Sequence, residues 1–561
     1  YVYLVKNKPM KKCLPGLLLL LLLVACSKKE SPSPDPEPPA TISLTSIKLN
    51  GVAMADQTYG TARKPVIELQ FSGAVLPSTV AGAVQLSTSG GQTVAVTNTL
   101  QSGDATLLIS PNAELNPLTN YKLVVSNALK SAAGGNFTST VSKRFLTSID
   151  STDKFPAISE DSLLTLVQKK TFNYFWNQAA SLNGMARERN SSGNTVTSGG
   201  SGFGFMATLV AAERGFITRS QALTSLTSAA DFLLNKAGTV KGAFSHWLDG
   251  TTGAIIPFSQ KDDGADIVET SYAVMGLITA REYFNGSSAA ETSFRQKVNA
   301  IADRVEWDFF RRNNSNTLYW HYSNNYTWDM NMPIVGWNEC LITYVMAASS
   351  TTHSIPAEVY TQGWAGSNYV NGKQFYGYTL PLGPDYGGPL FFSHYSFLGI
   401  NPNGLSDAYA NYKDQVTAHA NINHAYCAAN PQKLYGYSAD CWGLTASDIA
   451  GGYSASSPTN DLGVIAPTAA LSSFPFTPEK SMAALKFFYY KLGDKLFTEQ
   501  GFVDAFKLQD AWFADSYLAI DQGPIIVMIE NHRTGLLWRL FTNAPEVKAG
   551  MRKLGFTAPY L

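Results

Sequence analysis

Four carboxylates crowd one short stretch, KDDGADIVETSYAVMGLITAREYF at 261–284, where Asp262, Asp263, Asp266 and Glu269 precede a run that is apolar on nearly every side. Like charges this close cost free energy unless water, cations, ligand hydroxyls or shared protons relieve them. Read on a helix, Asp262, Asp266 and Glu269 stand at i, i+4 and i+7 and share one face over two turns. Acids favour helix N-termini for dipole reasons, but capping takes one or two of them, not four. The cluster reads as the mouth of a cleft that binds several hydroxyls, holds a water, or lifts the pKa of one carboxyl through its neighbours.

A further acid, Glu339 in GWNEC (336–340), precedes the helical run ECLITYVMAA. A helix start would lower its pKa, the reverse of what a proton donor needs, unless burial against Trp337 and nearby acids outweighs the dipole. Asp385, Asp440, Asp461, Asp515 and Asp521 are additional candidates, each taken singly a turn or cap residue. Trp328, Trp337, Trp364 and Trp442 could stack on sugar rings, and in a helical barrel each serves equally as core. The glycines of SGGSGFGFM lack the preceding strand of a dinucleotide fold and read as a rim or as tight packing. There is no Gly-x-Ser-x-Gly elbow, and the histidines show no zinc spacing, so neither metal nor cofactor is expected. The acids also oppose a lyase for uronic-acid polymers, whose anionic substrate would be repelled.

The elements that must position these groups are mostly helices. From about residue 155 onward the apolar period is helical; in one example Phe294, Val298, Ile301, Val305 and Phe309 form a single stripe. Thr477-Pro478-Glu479 reads as a helix start with a hydroxyl cap and proline in the first turn. Half-buried helices alternate with helices apolar all round, such as 265–284 and 522–532, as two concentric rings would require. Roughly a dozen helices in about 400 residues point to a mainly α fold, an (α/α)6 barrel. Long loops rich in Trp, Tyr, Gly and Asn would rim its cleft.

Residues 41–150 differ: short β-rich runs separated by turn residues predict a small N-terminal β-sandwich, read as a spacer. Residues 27–40, SKKESPSPDPEPPA, form a Pro-rich linker. Residues 1–26 carry Lys11, Lys12, a leucine-rich run and Leu-Val-Ala-Cys, an export signal resembling a bacterial lipobox. Lipidation of Cys26 is expected, with residues 1–9 ahead of the true start, which puts the chain in the bacterial cell envelope, lipid-anchored. Cys340, Cys427 and Cys441 remain; an exported compartment permits a Cys427–Cys441 bridge, while apolar flanks and the odd count favour buried thiols.

Lys+Arg and Asp+Glu both number 42, leaving no net charge to steer the chain onto nucleic acid or an anionic surface. Charged residues make up only 15% and aromatics 12%, a palette suited to neutral hydroxylated ligands.

TFNYFW, GMARERNSSG, GGSGFGFMATLVAAERGFITR, DDGADIVETSYAVMGLITAREYF, DMNMPIVGWNECLITYVMAASS, CWGLTASD and ADSYLAIDQGPIIVMIENHRTGLLWRLF together resemble the bacterial glucoamylase-like domain of the endo-β-1,2-glucanase family of glycoside hydrolases, over residues 155–561. The sandwich resembles bacterial Ig-like modules. The resemblance implies an (α/α)6 barrel that hydrolyses β-1,2-glucan internally, with inversion, to sophoro-oligosaccharides and without a metal; a monomer without cofactor is the separate expectation. It carries the acid cluster of Asp262, Asp266 and Glu269 onto the family's cleft and makes Glu339 the general acid. For activating water it leaves Asp262 or Asp266 first and Asp521 next; Asp263, Glu269, Trp337, Asp385 and Trp442 are expected to contact the substrate. Two rivals remain: an exo-acting glucosidase, separable by its products, and a glycan-binding surface lipoprotein without catalysis.

Overall fold

The computed structural model describes residues 37–561; the signal-like run, Cys26 and most of the Pro-rich linker lie outside them. Ten strands build the N-terminal module: β1 Leu44–Leu49, β2 Val52–Ala53, β3 Gln57–Thr61, β4 Ile67–Phe71, β5 Val84–Thr88, β6 Thr93–Val94, β7 Val96–Gln101, β8 Thr106–Pro111, β9 Asn120–Val125 and β10 Val141–Thr147. They form two five-stranded sheets, ordered β2-β1-β4-β8-β7 and β3-β10-β9-β5-β6, antiparallel apart from the β3–β10 pair. Strict alternation sends Leu107 and Ile109 inward from β8, and Tyr121, Leu123 and Val125 from β9, closing one core between the sheets. Tyr59 of β3 stacks on Tyr435 of the helical region at 6.1 Å, and Gln509 Nε2 donates to the Tyr59 hydroxyl.

The remainder is helical. After the short α1 (Pro77–Ala83) of the sandwich come α2 Glu160–Ala179, α3 Ser198–Glu213, α4 Arg219–Asn235, α5 Ile267–Tyr283, α6 Ala289–Asp303, α7 Leu341–Ser349, α8 Tyr412–Ala429, α9 Pro467–Leu471, α10 Pro478–Lys486, α11 Gly493–Leu496, α12 Ala519–Arg533, α13 Leu536–Asn543 and α14 Pro545–Lys553. α3, α5, α7, α9 and α12 are buried along nearly their whole length. Amphipathic partners cover them: α2 packs on α12, α14 on α7 and α10 on α9, and a further outer pair forms where α4 meets α6. The expected stripe on α6 buries Phe294, Val298 and Ile301. It continues through Val305 to a half-buried Phe309 on a 3-10 turn, because the α-helix has ended at Asp303.

The glycines of SGGSGFGFM lie inside α3 and serve close packing. A Cβ at Gly202 would sit 2.1 Å from the Tyr272 carbonyl oxygen, and one at Gly276 would sit 2.1 Å from that of Gly202. Only two bare backbones allow α3 and α5 to approach so closely, and that approach fixes the acids at the start of α5 against α3. The run GPIIVMIENHRTGLLWRLF breaks into α12 and α13 at Gly535, whose φ of 67° is left-handed. Thr477 makes no cap bond; its hydroxyl donates to the Ser473 carbonyl instead. The three thiols are free and buried, so the Cys427–Cys441 bridge is not formed. Among the described residues no helix is long and apolar enough to cross a membrane.

Candidate active site

The 262–269 acids do not share a helical face. α5 begins at Ile267, and Ala265–Asp266 pair as a two-residue strand with His321–Tyr322. A Cβ at Gly264 would lie 2.4 Å from the Tyr322 carbonyl oxygen, so the chain lies too tightly against that strand to coil before Asp266. Asp266 is therefore the N-cap: its Oδ1 accepts the N–H groups of Val268 and Glu269, each at 2.9 Å. Its Oδ2 lies 3.2 Å from His246 Nδ1 and 3.9 Å from His321 Nδ1. Asp262 Oδ1 faces His321 Nδ1 at 3.3 Å. Asp263 turns away and accepts from Ser323 and from Asn325 Nδ2, tying down the 323–326 turn.

Glu269, on the first turn of α5, accepts from the Gly199 N–H at 2.9 Å and from Thr197 Oγ1 at 3.2 Å. Any side chain at position 199 would collide with it, since a Cβ there would stand 2.4 Å from Oε2. Burial alone would drive His246 toward its neutral form, yet Glu269 and the bond to Asp266 outweigh it and lift the imidazole to about 9. For Asp266 burial pushes upward, but the hydrogen bond from His246 and the charge of His321 prevail and hold it below the ordinary range. Burial also raises Glu269, and there it prevails over His246. His246, Asp262 and Asp266 place ligand atoms within 4.8 Å of one another, the one such trio among the described residues that could hold a metal ion.

Glu339 precedes α7, but Asn338 supplies the turn's side-chain acceptor, taking the Cys340 N–H at 2.9 Å. Burial of the Glu339 carboxyl, reinforced by the charges of Glu269 and Asp266, outweighs the hydrogen bond from its own backbone N–H and raises it to about 7. Its backbone carbonyl is held by the Ser396 hydroxyl at 2.5 Å. Glu269 and Glu339 line one cavity of about 440 Å³, together with His246, Trp320, Phe391 and Tyr395. Phe258, 49% exposed, stacks on His246 at 4.2 Å and forms part of the rim.

A second acid group adjoins the same cavity, which Glu188 and Arg189 of that group line. Arg189 bridges Glu188 (Nε to Oε2, 2.9 Å) and Asp448 (Nη1 to Oδ2, 3.1 Å), and the Ser516 hydroxyl also donates to Asp448. The Asp448 N–H donates to Asp504 Oδ2 at 2.6 Å. Asp521, buried on the first turn of α12, receives no N–H or O–H on either oxygen from the described residues, and Asp504 stands beside it. Burial raises both; the charge of Asp448 adds to it at Asp504, which is pushed up to about 7, and the charge of Asp504 adds to it at Asp521, which lies well above its ordinary value, so the pair shares a proton. Tyr395 is buried where the charges of Asp521, Glu339 and Glu269 all bear on its hydroxyl.

Sequence reasoning missed Glu188, Arg189, His246, Asp448 and Asp504. For Asp504 a signal was available, an acid between apolar residues in GFVDAFK, which in a folded chain must be paired or protonated. Three expected substrate contacts lie elsewhere. Trp337 is core, packed on Phe397 and Tyr412. Trp442 is fully buried, its Nε1 donating to the Lys480 carbonyl at 3.3 Å. Asp385 pairs with Lys373 at 2.8 Å on the surface. Asp461, similarly, accepts from Tyr426 and Tyr437 in a structural network.

Residues 331–545 match the family model described as "Putative glucoamylase", and residues 44–147 match that of a bacterial Ig-like domain. An endo-β-1,2-glucanase from Chitinophaga pinensis, solved with sophorotriose and glucose, is 49% identical with a TM-score of 0.70, the match covering 72% of this chain and all of that one. The chain belongs to the glucoamylase-like family of glycoside hydrolases. A β-1,2-glucanase structure from Parabacteroides distasonis aligns over 92% of this chain and 74% of its own, at 34% identity and a TM-score of 0.70. An exo β-1,2-glucooligosaccharide sophorohydrolase of Parabacteroides distasonis is 41% identical over 420 residues, 71% of this chain; the chain spans 58% of that relative's length.

Proposed function

We propose that this chain hydrolyses β-1,2-glucan within the polymer, with inversion, releasing sophoro-oligosaccharides. The observation that carries the reading is Glu339: a carboxyl in the wall of a ring-lined cavity, free of any cap bond and held near 7, where it keeps a proton to give to a departing glycosidic oxygen. The β-1,2 linkage is supported by relatives named as β-1,2-glucanases and as a β-1,2-glucooligosaccharide sophorohydrolase.

The proton acceptor follows from which carboxylate is left without a fixed donor. Asp266 spends one oxygen on two N–H groups and the other on His246, so it shapes the site instead of activating water. Asp262 is engaged by His321. Asp521 has neither oxygen held by a backbone N–H or a hydroxyl and has a partner, Asp504, poised near neutrality, so the Asp504–Asp521 pair takes the proton. This reverses the order expected from sequence. An inverting pair works at roughly 6.5–9.5 Å separation, leaving space for the water between acid and base.

The inner and outer helices close as an (α/α)6 barrel, and the protein works as a monomer tethered to the bacterial envelope through Cys26. Incubation with β-1,2-, β-1,3-, β-1,4- and α-1,4-glucans tests the reading: a ladder of short products from the β-1,2-polymer alone supports it. Sophorose as sole product would move the chain to the exo mode of the sophorohydrolase, and binding without new reducing ends would make it a glycan receptor.

A further inference from the structure

The cavity does not end at its own wall. Arg189 and Tyr453 line it and also line an adjoining groove of about 650 Å³ that runs between the hairpin Ala446–Ala455 and the segment Trp512–Ser516. In the hairpin Tyr453 pairs across from Asp448, whose carboxylate is fixed by Arg189 and Ser516. On the opposite wall successive side chains of the Trp512–Phe513 strand point opposite ways. Phe513 stacks on Phe506 at 6.0 Å and lies under the Lys495 ammonium. Trp512 is half-buried and stacks on no aromatic ring of the described residues, and Tyr453 is 49% exposed and likewise unstacked. Arg189 keeps Nη2 uncommitted, because its bonds to Glu188 and Asp448 use only Nε and Nη1.

Two free aromatic faces, one spare guanidinium donor and two carboxylate acceptors, Asp448 and the exposed Asp515, suit a neutral polyhydroxylated ligand with apolar ring faces. The carboxylates disfavour an anionic polymer. We propose that this groove is an outer binding site for the glucose units of a glucan whose cleaved bond lies beside Glu339, with Trp512 as its stacking face and Arg189 as the hinge between the two compartments. The proposal rests on the reading of the cavity as a β-1,2-glucan hydrolase site and deepens it: a chain that continues through the groove is gripped on both sides of the cut.

Steady-state kinetics on β-1,2-glucans of graded length test it. Trp512→Ala should lower kcat/KM about three- to tenfold on long chains. It should leave the shortest cleaved oligosaccharide at the wild-type rate, and Trp512→Tyr should restore most of the loss. No loss at any length, or an equal loss at every length, overturns the groove while leaving the hydrolase reading intact. If wild-type protein neither cleaves nor binds any β-1,2-glucan by calorimetry, the hydrolase reading falls and the groove falls with it.

Discussion

The two acid groups that flank the cavity are similar in size and opposite in electrical condition. Around Asp262, Asp266 and Glu269 the charge is answered locally, by two imidazoles, by backbone N–H groups at the head of α5 and by the Gly199 N–H. Around Asp504 and Asp521 compensation stops short: Arg189 binds Glu188 and Asp448, the Asp448 N–H reaches Asp504, and Asp521 is left with Asp504 alone. Glu339 resembles the second group, since burial outweighs the one N–H, its own, that reaches its carboxyl. Density of acids is therefore a poor guide to reactivity. The groups able to move a proton near neutral pH are those in which burial outweighs the donors that reach them.

The largest test of that contrast is Glu339→Gln, which should lower kcat about 10²- to 10⁴-fold while leaving oligosaccharide binding measurable by calorimetry. Near-normal turnover would remove Glu339 from the chemistry. Asp521→Asn should follow closely, with a loss of about 10²-fold or more; if Asp266→Asn costs more turnover than Asp521→Asn at equal folding, the assignment of the two groups is inverted.

The pH profile sharpens the same contrast. A proton donor near 7 must be protonated to act, so activity should fall as pH rises through about 7, and Glu339→Asp should move that limb without touching the acid limb. Stability carries the opposite cost. The folded pKa of Glu339 lies above its unfolded value, so its contribution is fully present below about 4.5 and is lost as pH rises through about 7. Glu339→Gln should thus melt higher than wild type at pH 8, with the difference vanishing near pH 4. His246, raised to about 9, likewise stabilises fully below about 6.5 and loses that contribution as pH rises through 9.

Smaller still is Asp266→Ala, which removes the cap of α5 and should cost about 1–2 kcal/mol in denaturant unfolding, and should also lower the His246 pKa as followed by NMR. At the bottom of the scale, Asp385→Ala should leave kcat/KM unchanged, because its exposed pair with Lys373 stands outside the cavity.

Much of this was legible in the sequence for a simple reason: local periodicity is written residue by residue. The alternation in β8 and β9, the stripe on α6 and the all-round apolar character of α5 and α12 each follow from side-chain spacing. The unusual density of acids ahead of α5 was legible as well, and so was Glu339 beside a helix start. What could not be read was which acids are neutralised. That depends on partners distant along the chain: His246 and His321 beside Asp266, Gly199 beside Glu269, Asp504 beside Asp521. Nor could the sequence say that Trp337 and Trp442 would be swallowed by the core, or that Gly264 would hold Asp262 and Asp263 off the helix. Residue type and spacing determined where charge was concentrated. Only the tertiary packing, by excluding water and assigning each hydrogen-bond donor to one acceptor, decided which of those charges would hold a proton.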